Sequence, residues 1–342
     1  MSEALPTGED EVASFDLDST TKSDDYGYIL EVDLKYPEHL HDSHSDYPLA
    51  AEKLKITKEM LSAYSTSLTT NHVTAEKLSP NLFDKTNYVL HYKNLRFYLK
   101  HGLQLLKVHR ILKFRQSAWI KPYIDFNTAK RRAAKSSFLQ AHYKNLNNLL
   151  FGKTMESLRK RMDLELVTNP TRAKKLITRP TTFHWDIIIE NLVSIKKQTP
   201  KIIVDRPIYL GLCILELSKI TMYKYEDILS NYGSRAKLAH TDTDSFIYHI
   251  QTPDLYKDMA DNMDAYDTSD YPVDHSLHSR TNAKVLGKMK DECSSLAPQE
   301  FVGLRAKMYS IILPNGKPKF TAKGVSRRYI LNISTIKITS AH

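Results

Sequence analysis

The sequence predicts an α+β fold, built as an antiparallel sheet with an acidic hairpin and a separate helical region. Three observations carry that expectation. Strand-like and helix-like segments alternate in mixed order with no repeat period. A short acidic turn, His240-Thr241-Asp242-Thr243-Asp244-Ser245, separates two β-prone runs, residues 236–239 and 246–250, which read together as a hairpin with both aspartates at its tip. From residue 127 the character changes to a long basic helical stretch.

Length and composition bound the answer. A chain of 342 residues with 41% apolar content is globular, with one large domain or two to three interlocked subdomains. Only Cys213 and Cys293 are present and nothing resembles a secretory leader, so a reducing, intracellular compartment is expected and a disulfide scaffold is excluded. No apolar run reaches membrane-spanning length. The formal charge of +10 is unevenly spread: residues 93–180 hold 21 Lys and Arg against 4 Asp and Glu, a net of +17, so the remainder is acidic at −7. Such a block is the electrostatic footprint of a polyanion partner, unless it is only a solvated helix face.

In chain order, residues 1–25 are acidic and rich in Ser and Thr and read as loosely ordered. Residues 28–34 alternate as a strand with Asp33 near its end. His39, His41 and His44 with Asp42 and Asp46 fit no zinc spacing and read as a polar loop. Residues 49–68 are helical in part, 85–92 strand-like, 94–101 a helix closing on Gly102, and 108–114 β-prone. Asn127 and Thr128 are cap candidates for the basic helix. Within it Lys144, Asn148 and Phe151 stand at i, i+4 and i+7, so one face presents a cation, an amide and a ring. Gly152 follows, where a base pair or another backbone could approach closely.

Arg132 precedes Lys144 by twelve residues, about 18 Å in one straight helix. For both to hold one triphosphate the chain must turn back, and Ser136-Ser137 is the expected break in an antiparallel helical pair. Residues 155–161 end the helix, 164–167 and 201–205 read as strands, and 209–225 as a buried helix leading to the acidic turn. Trp185 and Ile187 to Ile189 read as core. Residues 255–266 are helical and acidic, and Lys307-Met308-Tyr309 is placed in a strand, with Lys307 and Tyr309 on one side.

Two carboxylates on a tight turn can grip Mg²⁺ while its open positions bind water and substrate phosphates. An Asp-x-Asp alone is also an ordinary acidic turn, or a nuclease or glycosyltransferase site. Its companions narrow the choice. His240-Thr-Asp-Thr-Asp-Ser245 is similar to the Tyr-x-Asp-Thr-Asp-Ser motif of family B DNA polymerases, with His for Tyr. Lys144-Asn-Leu-Asn-Asn-Leu-Leu-Phe-Gly152 resembles the family's Lys-x-x-x-Asn-Ser-x-Tyr-Gly, with Leu149 for Ser and Phe151 for Tyr, and Lys307-Met-Tyr309 matches its Lys-x-Tyr. Phe151-Gly-Lys-Thr-Met-Glu156, Tyr266-Asp-Thr-Ser-Asp-Tyr-Pro272 and Phe301-Val-Gly-Leu-Arg305 resemble the protein-primed branch found in Polinton (Maverick) elements, some viruses and linear plasmids.

The resemblance covers nearly the whole chain and implies a right-hand palm with helical fingers and a partial thumb: residues 26–126 palm with an inserted region, 127–162 fingers, 163–292 palm with the metal hairpin, and 293–342 thumb. It implies Mg²⁺ or Mn²⁺ on Asp242 and Asp244. Arg132, Lys144, Asn148 and Phe151 would hold the deoxynucleoside triphosphate, and Lys307 and Tyr309 the primer strand. DNA template-primer is the expected partner, with a terminal protein as a further one, and the nucleus the expected site for an integrated element. The family's other metal aspartate stands in Asp-x-Asn-x-Leu-Tyr, upstream of a stretch like Ala4-Leu5-Pro6-Thr7-Gly8, so an N-terminally truncated polymerase is expected, with Asp33 only an imitation of that ligand. The alternatives are a catalytically inactive, nucleic-acid-binding relic of a mobile element and a Mn²⁺-dependent glycosyltransferase, which leaves Lys307-Met308-Tyr309 and the basic helices unexplained.

Overall fold

The computed structural model describes residues 4–10, 25–68, 76–230, 232–305 and 307–324. The first half of the chain forms β1 (Leu5–Asp10), β2 (Tyr26–Lys35), β3 (Glu52–Lys55), α1 (Ala63–Leu68), β4 (Glu76–Ser79), β5 (Lys85–His91), α2 (Tyr92–Lys100) and β6 (Gln104–Ser117). Next come α3 (Lys121–Ala133), α4 (Ser137–Thr154), β7 (Asp163–Val167), α5 (Pro170–Ile177), β8 (Thr182–Ile189), β9 (Leu192–Lys197) and α6 (Ile208–Ser230). The last stretch holds β10 (Ala236–Asp242), β11 (Ser245–Ile250), α7 (Leu255–Ala260), β12 (Tyr266–Asp267), β13 (Met289–Lys290), β14 (Glu300–Arg305), β15 (Met308–Ile312) and β16 (Pro318–Ala322). The mixed α+β order expected from the sequence is present.

The chain divides into two compact units. The smaller has residues 4–10, 25–27 and Phe114–Leu215 among those described; the larger has Tyr28–Lys113 and the described part of the chain from Glu216 onward.

In the larger unit, β2 alternates as its sequence requires. Leu30, Val32 and Leu34 are buried, whereas Glu31 and Asp33 face the other side. The inward residues join Tyr36, Leu90, Tyr92, Leu95, Tyr98 and Tyr223 in one core, where Phe97 stacks on Tyr223 with centroids 5.3 Å apart. A buried polar knot pins α2 to α6. Glu216, 2% exposed, accepts from Asn94 Nδ2 at 2.5 Å, His91 N at 3.3 Å and Lys219 Nζ at 2.6 Å. Such a carboxylate is tolerable inside only because donors surround it. His91 caps α2 by accepting from Lys93 N, and burial pushes its imidazole pKa down to about 3. The His-rich segment is a polar loop, as its spacing indicated, with Tyr36 Oη against His44 Nδ1 at 2.8 Å. Among the described residues no three His, Cys, Asp or Glu side chains gather as a metal site.

In the smaller unit, α3 and α4 are joined by only three residues, which forces the antiparallel pair that two triphosphate cations would need. Tyr123 Oη reaches Leu146 O and Asn127 Nδ2 donates to Asn147 Oδ1 at 2.9 Å. The helix therefore begins earlier than expected, and Asn127 is no cap. It is buried in mid-helix because a partner on α4 satisfies it, and the overlooked start signal is Pro122 in the first turn. A three-stranded sheet, β7-β9-β8, packs Val167 and Ile195 against Ala173 and Leu176 of α5.

Other expectations fail locally. Residues 5–10 form a strand rather than loose chain, with Leu5 buried and Pro6 O accepting from Trp119 Nε1. Residues 201–205 are not a strand, and the helix at 255–266 is α7 plus one 3₁₀ turn. Trp185 and Ile187 to Ile189 are exposed rather than core. Expectations for residues 11–24 and 325–342 lie outside the described residues. No described helix is long and apolar enough to cross a membrane.

Candidate metal and primer site

The acidic turn is the tip of the β10–β11 hairpin, which closes on the pair Asp242 and Ser245. Strand pairing skips Ala239, a bulge that shifts the register between Leu238 and His240. Beyond it His240 and Asp242, two apart, share a face of the strand. Thr243 at the tip has φ of 59°, which a β-branched residue adopts only under constraint. Asp244 N donates to Asp242 O at 2.6 Å across it, a three-residue γ-turn. Ser245 Oγ also donates to Asp242 O, at 3.2 Å. The tip is thus closed by two hydrogen bonds to one carbonyl, and the two carboxylates differ sharply in their surroundings.

Asp242 is held. Lys307 Nζ lies 2.7 and 2.6 Å from its two oxygens, and Thr243 Oγ1 donates at 3.2 Å. The Lys307 ammonium holds the Asp242 carboxyl below its ordinary range. Asp244 is exposed and lines a cleft of about 350 Å³ with His240, Tyr309, Lys288, Lys290 and Lys319. The donor set is hard oxygen, suited to Mg²⁺ or Mn²⁺, and two carboxylates fit an ion that takes further oxygens from substrate phosphates.

Lys307 reaches Asp242 from an unexpected backbone. It is not in a strand; it sits in the turn before β15 with φ of 59°, and its carbonyl accepts from Lys323 N at 2.9 Å. The expectation that Lys307 and Tyr309 point to one side of one strand is therefore corrected, and the hairpin is where both arrive. The Tyr309 ring packs on His240 at 4.9 Å, and Phe301 completes a cluster of three rings. Sequence spacing could not show the Lys307–Asp242 pair, because 65 residues separate its members.

Asp33 is engaged elsewhere. Its Oδ2 lies 2.8 Å from His109 Nε2 and its Oδ1 accepts from Asn87 N at 2.8 Å. The Asn87 amide and the His109 ring hold its carboxyl below the ordinary range. Both oxygens are engaged within the sheet.

The candidate nucleotide-binding residues belong to the smaller unit. Arg132 is in the last turn of α3, with Lys144, Asn148 and Phe151 along α4. The tight connection reduces the axial offset of Arg132 and Lys144 from about 18 Å to about 9 Å. Lys144 and Asn148 are exposed and Phe151 is half-buried. Among the described residues nothing lies within 4 Å of a Cβ built at Gly152, whereas one built at Gly211 would run into Met155 Sδ and lie 2.8 Å from Thr154 Oγ1. A side chain at Gly211 would displace Met155 and Thr154 where α6 passes the end of α4; at Gly152 none of the described residues stands in the way.

Fold and hairpin together place the chain in the class of polymerase-type α+β folds. Among the solved structures it is similar to are Phi29 DNA polymerase complexed with primer-template DNA, a post-translocation binary complex (TM-score 0.53), and the same enzyme in a ternary complex with primer-template DNA and incoming nucleotides (TM-score 0.56). Each match has 14% identity and covers 96% of this chain and 48% of that one, so the chain spans about half the length of these structures and the likeness is one of fold. No protein-family model and no curated protein matches the sequence.

Proposed function

We propose that the chain is a DNA-directed DNA polymerase module of the protein-primed family B type, transferring deoxynucleotides to a primer. The observation that carries this reading is the convergence of Asp242, Lys307 and Tyr309, from motifs far apart in sequence, on one hairpin within a polymerase-type fold. Asp244 and Asp242 would hold Mg²⁺ or Mn²⁺, which when bound favours attack of the primer 3′-hydroxyl on the α-phosphorus and departure of pyrophosphate. Lys307 is drawn from Asp242 toward the primer phosphate, and Tyr309 packs on its sugar. Lys144 and Arg132 neutralise the triphosphate, Asn148 orients it, and Phe151 packs under the nascent base pair, for which Gly152 leaves room. Template pairing supplies sequence, so backbone contacts from the basic block suffice. Primer-template DNA and deoxynucleotides are the substrates, and a terminal protein is the primer that the branch suggests.

A second reading has its own observation. Among the described residues no third carboxylate joins Asp242 and Asp244, and Asp33 is committed to His109 and Asn87. That favours a chain that binds nucleic acid without completing the chemistry. Primer extension on a recessed template with Mn²⁺ decides between them. The expected result is extension that falls roughly 100-fold or more in Asp244→Ala. Salt-sensitive DNA binding without extension by the native chain would establish the second reading instead.

A further inference from the structure

In the smaller unit the sheet β7-β9-β8 ends in β8, which is bonded to β9 on one side only among the described residues. Edge strands are ordinarily blunted by lysine, proline or charge, because their free N–H and C=O groups template pairing with another strand. β8 contains no lysine, proline or glycine; Asp186 is its one charge, bulges at Phe183 and Ile188 bound a regular run from His184 to Ile187, and Phe183, Trp185, Ile187, Ile188 and Ile189 are 46% to 65% exposed. So much hydrocarbon on an open edge marks an interaction surface.

Its own sequence indicates what covers it. Two antiparallel copies of β8 related by a twofold axis through Trp185 set His184 of each copy opposite Asp186 of the other. Both pairs fall within the regular run His184–Ile187, and the two indoles lie side by side on the axis. Neighbouring registers are worse: an axis through Asp186 opposes two carboxylates, and one through His184 leaves Asp186 opposite Thr182. His184 Nε2 and Asp186 Oδ2 already lie 2.8 Å apart within one strand, so both project from the same face with matched reach. Nucleic acid is poorly suited to this edge, since phosphates would meet Asp186 and hydrocarbon.

We propose that β8 is a self-association edge, through which a second copy of this chain pairs in antiparallel, isologous fashion. The inference is independent of the polymerase reading. One strand pair is at the small end of interface sizes, so a monomer–dimer equilibrium with Kd on the order of 10 µM is expected.

Sedimentation equilibrium of the whole chain without nucleic acid, from about 1 to 200 µM, tests it. Each copy carries +10, so screening should tighten the dimer as salt rises from about 0.1 to 1 M, opposite to the behaviour of a polyanion complex. Ile187→Lys and Asp186→Lys are each expected to weaken association tenfold or more, and His184→Asp with Asp186→Lys to restore it by exchanging the charges across the axis. Ile189→Lys serves in place of Ile187→Lys if circular dichroism shows that variant misfolded. A chain monomeric throughout, a dimer unaffected by the lysine at 187 or 189, or failure of the exchanged pair to recover would overturn the proposal. So would association that appears only with DNA, which would assign the edge to a nucleic-acid complex.

Discussion

The two units solve the problem of placing charge in opposite ways. The larger unit buries it: Glu216 is enclosed by Asn94, His91 and Lys219, and the neutral imidazole of His91 caps a helix inside the core. The smaller unit keeps its charge at the surface, where Glu156 is paired with Lys153 and Arg206 and Glu165 with Arg172 and Lys197. Buried charge specifies one packing at the cost of sensitivity to pH, whereas exposed charge leaves cations available to an anionic partner. The difference predicts that acid acts on the larger unit first.

The largest effect tests that order. A histidine whose pKa falls from 6.5 unfolded to about 3 folded is neutral in the native state, so its contribution is complete above pH 6.5 and lost as pH falls toward 3. Each pH unit in that window costs about 1.4 kcal/mol, or about 2 kcal/mol between pH 6.5 and 5. The carboxyls of Glu156 and Glu165 are lowered by hydrogen bonds from Lys153 and Lys197, so their contribution is present above pH 4.5 and lost only below it. His91→Asn retains a cap acceptor. Urea unfolding of this variant should lack the pH 6.5 to 5 decline seen in the native chain; an equal decline would show that His91 is not the titrating group.

The same contrast explains what could be read in advance. The hairpin tip and the α3–α4 turn are legible because their signals are local: alternating runs around an acidic turn, and a Ser-Ser break within a long helical stretch. Asn127 carries the sequence signal of a cap, but its partner, Asn147, lies on another helix. Residues 201–205 have strand composition but pair with no strand among the described residues. Trp185 and the isoleucines looked like core by type, yet their strand lies at a sheet edge. Lys307 was found by motif, but its left-handed turn and its grip on Asp242 depend on contacts far away in sequence.

Two glycines of the smaller unit sharpen the distinction between folding and binding. Gly211→Ala drives Cβ into Met155, whose exposed side chain can yield, and into Thr154, whose buried hydroxyl is bonded to Phe151 O; set against the preference of α6 for alanine, a net loss of about 1 kcal/mol is expected. Gly152→Ala enters open space within α4, where alanine is favoured by about 0.5 to 1 kcal/mol, so thermal unfolding should show the opposite shift. If a base pair approaches there, that stabilised variant should also incorporate nucleotides more slowly. Unchanged incorporation would remove Gly152 from the site.

The smallest stability effect is expected at the ion pair that joins the two motifs. The side chains of Asp242 and Lys307 are 23% and 43% exposed, and a pair so accessible to water contributes on the order of 0.5 kcal/mol or less at physiological salt. Lys307 lowers the carboxyl's pKa, so this contribution exists above pH 3.8 and is lost as pH falls through the folded value. Lys307→Met should therefore unfold in urea within about 0.5 kcal/mol of the native chain at pH 7, and converge with it in strong acid. Its effect on the site should be larger and of a different kind. With both oxygens of Asp242 released, Mn²⁺ binding followed by electron paramagnetic resonance should tighten, while primer extension should weaken on the proposed reading, in which Lys307 serves the primer phosphate. A variant that instead lost several kcal/mol would show that the pair is a structural clasp between the hairpin and β15. Weaker Mn²⁺ binding would show that Lys307 orients Asp242 for the ion rather than competing with it.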